Sequence, residues 1–210
     1  MKTFFYIIFF SILFSCSSTR LVDSWKNPNT MSFHPEKLLV VGMTNHLNAR
    51  MLFEQKLVDE LSYRGINAEK SLNIFDPNFT HNKKSEEDIQ QLVKILRAKG
   101  FDAVLVTAIR GVERKKIVKR EYYDIHYKRF PFRRYYLTYQ DIYYQPAYYD
   151  EYKIYHLETS LYNIHTDDVR SLIWIGYIDV VDPSDVTNTV NDYVKEIITS
   201  LEKEGLIGKL

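Results

Sequence analysis

The chain has 210 residues, of which 45% are hydrophobic, and a formal net charge of only +1. A chain of this length can bury the core of one domain. Because basic and acidic residues nearly cancel, the overall charge indicates neither a nucleic acid nor any other particular partner, and only local clusters can do so. A single cysteine excludes a disulfide within the chain, so packing must supply the stability.

The amino-terminal residues have the pattern of an export signal. Lys2 precedes an apolar run from Phe4 to Phe14 that only Ser11 interrupts. This run is shorter than the about 20 residues that span a bilayer, but it matches the apolar core of a secretory signal. We therefore predict a signal peptide at residues 1–15; an uncleaved amino-terminal anchor is the alternative.

The end of this run, Leu13-Phe14-Ser15-Cys16, resembles the lipobox of bacterial lipoproteins. In that family the signal is cut before the cysteine, and both its sulfur and the new amino terminus carry acyl chains such as palmitate. The resemblance implies lipidation at Cys16, and two or more chains hold a protein stably on a membrane. A plain signal peptide with an incidental cysteine is the alternative.

Hydrophobic periodicity predicts an alternation of strands and helices along the rest of the chain. We expect Trp25, in a short alternating segment, to cover one edge of the core. Ser85 and Asp88 have the spacing of a capping box at the start of a helix. The predicted elements are strands at 21–25, 37–43, 66–71, 101–109, 153–165 and 170–181, and helices ending near Gly65, Gly100 and Gly205.

This pattern predicts an α/β fold with an approximately five-stranded mixed sheet and three helices, in the order β-α-β-α-β-β-β-α. We expect the segment 101–109 to be the central strand, because it is the most apolar. Residues 16–20 form the predicted tether, and residues 21–210 form one domain with an insertion at 120–152. None of the seven glycines forms a phosphate-binding loop, which argues against a nucleotide ligand.

Several phrases of the sequence are similar to those of a widespread family of bacterial envelope lipoproteins that contain a domain of unknown function. They are VDSWKNP, KLLVVGM, FEQKLVDEL and GFDAVLVTAI, followed by LETSLYNIHTDDVRSLIWIGYIDVVDPSDV, within residues 21–207. The resemblance implies a lipid-anchored protein of a Gram-negative cell envelope, facing the periplasm. Ser17 after Cys16 favours the outer membrane by analogy with lipoprotein sorting. The family offers no catalytic motif that could be assigned to these positions.

The insertion is the segment that we expect to carry function, because eleven of the seventeen tyrosines lie between Glu121 and Tyr152. Nine basic residues accompany it between Arg114 and Arg134. Four hypotheses follow: a lid over the sheet, a surface that recognises an envelope protein, contact with anionic lipid head groups, and a glycan-binding module. The candidate binding surface comprises Tyr122, Tyr123, Tyr127, Arg129, Arg133, Arg134, Tyr135, Tyr136 and Tyr139.

Catalytic motifs are not apparent in the sequence. The six histidines lack the close spacing of metal ligands, and no serine lies in a nucleophile-elbow context. Asp167 and Asp168 are better explained as a solvated hairpin turn than as an acid/base pair. We therefore predict a non-enzymatic protein without cofactor, metal or nucleic-acid partner; a small periplasmic hydrolase is the alternative.

Overall fold

The structure is a computed structural model that describes residues 18–30, 33–81, 83–119, 148–166 and 171–210. Over these residues it is a mixed α/β fold with one six-stranded sheet and three helices, which confirms the predicted fold class. The strands are β1 (Thr19–Lys26), β2 (Lys37–Met43), β3 (Asn67–Lys70), β4 (Ala103–Lys119), β5 (Tyr148–Asn163) and β6 (Leu172–Val181), and the helices are α1 (Leu47–Tyr63), α2 (Glu86–Ala98) and α3 (Val186–Lys203).

The strand order across the sheet is β1-β6-β5-β4-β2-β3. β2 pairs in parallel with β3 and β4, while the other neighbours are antiparallel. The predicted central strand, β4, therefore lies inside the sheet. The sheet has one strand more than the expected five, because the short strand predicted at 21–25 joins it as the edge strand β1 by pairing with β6.

Helices α1 and α3 pack side by side on one face of the sheet. Each helix presents an apolar stripe, and the side chains of Leu57 and Ile197 are fully buried in a shared core with Trp174 of β6. Gly176 allows the Trp174 ring to lie flat on the strand, because a Cβ there would meet the ring at 2.5 Å. This face contains the larger of the two cores.

Helix α2 covers the opposite face over β2 and β4, where Leu96 and Phe101 are buried with Leu39. Further along that face, Trp25 of β1 is 46% exposed. The prediction that Trp25 covers the core was wrong, because its register partner Ile175 belongs to the face opposite to α3.

The helix termini agree in part with the sequence. The capping box of Ser85 and Asp88 is present at α2, which confirms that prediction. Gly65 has φ +80° after α1, as a helix-ending glycine requires. The residue before α1 is His46, and its side chain makes no capping hydrogen bond.

The amino-terminal end of the described chain is fixed to the sheet from its first residue. The backbone N–H of Val181 donates to the carbonyl of Ser18 at 2.8 Å, and Thr19 is buried beside Val180. β1 thus begins two residues before the predicted strand. Within the described residues, the helices are all too short or too polar to cross a membrane.

Two strands are much longer than predicted. β4 continues ten residues beyond the expected end at Ile109, and β5 begins five residues before the expected start at Lys153. Residues 114–119 of β4 pair with Tyr148–Lys153 beyond the end of β6. We call this two-stranded extension the ribbon; it includes the last part of the predicted insertion.

Candidate functional site

A cleft of about 290 Å³ opens between the first turns of α1 and α3, where β2 ends. The surface inside it is almost entirely carbon. Its floor is the α1/α3 face of the sheet, with Gly42 of β2, Thr107 and Ile109 of β4, Leu157 of β5 and Val180 of β6. The cleft exists because the two helices cover the rest of this face and leave its end open.

The α1 wall of the cleft stands close to the sheet because of Gly42. A Cβ at that position would lie 3.2 Å from Cδ1 of Phe53 and 3.4 Å from Cγ of Arg50. Glycine therefore lets the Phe53 ring and the aliphatic stem of Arg50 reach the floor. Both side chains are buried, and they present carbon to the cleft.

The charged end of Arg50 is directed into a polar network behind this wall. Its Nε donates to Oε1 of Glu54 at 2.9 Å, and its Nη2 donates to Oγ of Ser71 at 2.7 Å. The Glu54 carboxylate also accepts from the backbone N–H of Gly42 at 3.0 Å and of Leu72 at 3.1 Å. The network links the end of β2 to α1 and to the chain after β3, and it keeps charge out of the cleft.

The inner end of the cleft is closed by Tyr193 of α3. Its hydroxyl lies 2.8 Å from Oγ1 of Thr159, which in turn lies 2.7 Å from Oγ1 of Thr107. Burial raises the pKa of the Tyr193 phenol well above its ordinary value of 10.0. The ring edge also contacts Phe53, with centroids 5.9 Å apart. These contacts join α3 to the sheet and to α1 at the base of the cleft.

The mouth of the cleft is surrounded by exposed apolar side chains. Met43 is 56% exposed, Val186 54% and Ile109 48%. Each belongs to a different element, yet all three line the same opening. Clustered exposed apolar groups of this kind are typical of ligand or membrane contact.

Polar side chains at the rim bear on the hydrolase alternative. His46, Ser184 and Asp185 all line the cleft. The Asp185 carboxylate accepts from the backbone N–H of Asn188 at 2.7 Å and so caps α3. This position explains Asp185 as a helix cap.

The ribbon carries an excess of positive charge. Its arms and their bases, residues 110–119 and 148–154, contain six basic residues and three acidic ones, a balance of 6 − 3 = +3. Some of this charge is opposed: Lys116 pairs in register with Glu151, and Lys115 lies 3.5 Å from Glu113. Glu151 of β5 and Glu113 of β4 therefore offset part of the positive charge of the ribbon.

A second polar cluster lies on the open face of the sheet, at the base of the ribbon. The His156 Nδ1 is 2.6 Å from Asp179, and its Nε2 is 3.8 Å from Glu113. Arg110 lies 3.0 Å from Glu158 nearby. Within the described ranges, no group of three or more His, Cys, Asp or Glu side chains is arranged to hold a metal ion.

The residues that the sequence singles out fall mostly outside the described ranges. Cys16, the nine Tyr and Arg residues of the candidate binding surface, and the Asp167-Asp168 turn all do so. The predictions for them therefore stay predictions. The cleft was not predicted from the sequence. Its visible signal there is a pair of helices that each begin with an apolar residue, Leu47 and Val186, close to strand ends.

Comparisons with known proteins found similarity to solved structures alone. No family model and no curated protein matches the chain. Among the solved structures, a PelC dodecamer from Paraburkholderia phytofirmans is 11% identical with a TM-score of 0.44, over 89% of this chain and 96% of that one. Lipoprotein GNA1162 from Neisseria meningitidis is 14% identical with a TM-score of 0.43, over 80% of this chain and 99% of that one.

Proposed function

We propose that the protein is a non-enzymatic lipoprotein, held at the periplasmic face of an envelope membrane by acyl chains on Cys16. We further propose that the segment 114–152 contacts anionic lipid head groups of that membrane, with an envelope protein as the alternative partner. The apolar run, the lipobox-like residues before Cys16 and the absence of any other cysteine support the anchor.

The attachment of Ser18 to the sheet is the observation that carries this proposal. Because the Ser18 carbonyl already accepts from Val181, only Ser17 separates Cys16 from the folded domain. Two residues span roughly 7 Å when extended. A domain on so short a tether lies against the bilayer, and the end of the sheet where β6 finishes faces the membrane.

The ribbon starts from this same end of the sheet. Val181, the last residue of β6, pairs with Ile154 of β5, which pairs with Glu113 of β4. The ribbon and the tether therefore leave the domain at the same level, two strands apart. A net positive ribbon with tyrosines suits a head-group region that is negatively charged and favours amphipathic rings.

Changing Cys16 tests the anchor. We expect wild-type protein in the membrane fraction, labelled after growth with an alkyne-bearing palmitate, and Cys16→Ser protein without label. Ser15→Gly, which keeps a small residue before the cysteine, is the matched control and should retain the label. Unlabelled wild-type protein would contradict the proposal.

The ribbon contact needs a separate test, because the anchor alone would keep the protein on the membrane. We expect replacement of Arg133, Arg134, Tyr135 and Tyr136 by alanine to weaken cross-linking to anionic lipid in intact cells. Replacement of two exposed basic residues of the helices, Lys56 and Lys94, is the control. Unchanged lipid cross-links with altered protein cross-links would favour the envelope-protein alternative, and no change in either would refute a binding role.

A further inference from the structure

We propose that the cleft between α1 and α3 binds an acyl chain, and that its occupant is one of the chains on the protein's own Cys16. This inference rests on the proposed function, since it requires that Cys16 is acylated. It adds a binding site in the folded domain for part of the anchor itself.

The chemistry of the cleft fits a hydrocarbon chain. Its surface is almost entirely carbon, and the polar groups of Arg50 and Tyr193 beside it are bonded to Glu54 and Thr159. A ligand that offered hydrogen-bonding groups at the floor would lose its water without gaining partners, which is unfavourable. A linear chain of methylene groups needs no hydrogen-bonding partner, and it covers apolar cleft surface that would otherwise face water.

The position of the tether brings the chain to the cleft. Val180 contributes to the floor, and its register partner across the sheet is Thr19. The next residue along β6, Val181, holds Ser18. The sulfur of Cys16 is therefore tied within roughly 7 Å of the end of the strand that forms part of the floor.

The mouth of the cleft provides a path for the chain. Met43, Ile109 and Val186 are exposed around it and are uncharged, so a chain that enters between them stays in contact with carbon. The same residues would otherwise face water or the membrane surface. An acyl chain from Cys16 accounts for an apolar mouth at the end of the sheet where the tether is attached.

The covalent link decides between sources of the chain. Tethering converts binding into an intramolecular step with a high effective concentration, so the chain on Cys16 outcompetes free fatty acids of equal affinity. The resemblance to bacterial lipoproteins implies about three acyl chains on Cys16, so about two stay in the bilayer and still hold the protein there. One chain can therefore exchange between cleft and bilayer without release of the domain.

Photochemical cross-linking from the anchor tests this inference. Cells that express the full-length protein are grown with a diazirine-bearing palmitate, irradiated, and the protein is digested for mass spectrometry. We expect cross-links from the acyl chain to peptides that contain Ile109, Leu157 or Val190, which line the cleft. Label on Cys16 that cross-links only to lipid would overturn the inference while leaving the proposed function intact.

A pair of variants on α3 shows whether such cross-links report on the cleft. Thr189 lines the cleft, whereas Thr199 is exposed on the same helix and lies outside it. Thr189→Phe should fill the cleft and abolish these cross-links, and Thr199→Phe should leave them unchanged. Persistence of the cross-links in folded Thr189→Phe protein would contradict the inference.

Two further outcomes separate the possible failures. If wild-type Cys16 carries no label at all, the proposed function fails and the inference fails with it. If cleft peptides are cross-linked by added free diazirine fatty acid and not by the chain on Cys16, the cleft binds acyl chains from another source, and the assignment of the occupant is wrong. Cross-linking of the wild-type protein can refute the inference without the variants, even if Thr189→Phe protein does not fold.

Discussion

Loss of the Glu54 carboxylate should destabilise the domain strongly, because it is fully buried and holds the wall of the cleft. It accepts hydrogen bonds from Arg50, Ser71 and the backbone of Gly42 and Leu72. Glu54→Leu would leave the Arg50 guanidinium buried without its counter-charge, which costs about 3–5 kcal/mol. The orphaned N–H of Gly42 adds a smaller penalty. A domain of ordinary stability, about 5–15 kcal/mol, would lose a large part of its free energy of unfolding.

Urea unfolding of wild type, Glu54→Leu, Arg50→Met and the double variant measures this effect as a double-mutant cycle. Removal of both charges leaves no uncompensated ion, so the double variant should be more stable than the sum of the single effects predicts, by up to about 3 kcal/mol. Asp59→Leu is the control: Asp59 accepts from exposed Gln55 on the same helix at 2.7 Å, and its loss should cost less than about 0.5 kcal/mol.

Two results would refute this reasoning. If Glu54→Leu were no less stable than Asp59→Leu, the carboxylate would not support the wall. If the single effects simply added, Arg50 and Glu54 would act independently, contrary to their 2.9 Å contact.

Three other predictions concern the core and one helix end. Burial raises the pKa of Tyr193 above 10.0, so its neutral form stabilises the fold below pH 10 and this contribution is lost as the pH rises further. In thermal unfolding across that range, Tyr193→Phe protein should therefore lose less stability with rising pH than wild type. An equal loss in both proteins would contradict the assignment. Gly176→Ala places a Cβ 2.5 Å from the Trp174 ring and should lower the free energy of unfolding, measured in urea, by about 1–3 kcal/mol. A variant as stable as wild type would show that the ring can move away freely. Ser85→Ala removes the α2 cap and should cost about 1 kcal/mol in the same assay, with no loss expected if the cap is unimportant.

Much of the fold could be predicted from periodicity and helix-end residues. The strand at Lys37–Met43 has a continuous apolar run because both of its faces are buried. The helix repeats apolar residues every four positions from Phe53 to Leu61 because one stripe of it is buried. These signals are local, so they are visible in one segment at a time. The capping pair at Ser85 is local in the same sense.

The errors arose where distant segments decide the structure. β4 continues past Ile109 through polar residues because β5 supplies hydrogen bonds to its backbone. The charged residues there do not alternate with apolar ones, so their pattern does not predict a strand. Trp25 is exposed because pairing with β6 sets its face, which the alternation in β1 alone does not determine. The cleft depends on how closely α1 approaches the sheet at Gly42, and no single segment encodes that distance.

Mass spectrometry of the intact mature protein from its native envelope decides whether Cys16 is acylated. We expect a chain that begins at Cys16, with a mass increased by acyl groups on both the sulfur and the amino terminus. A free thiol at Cys16, or a chain that retains residues 1–15, would contradict the membrane anchor and the acyl-chain cleft together.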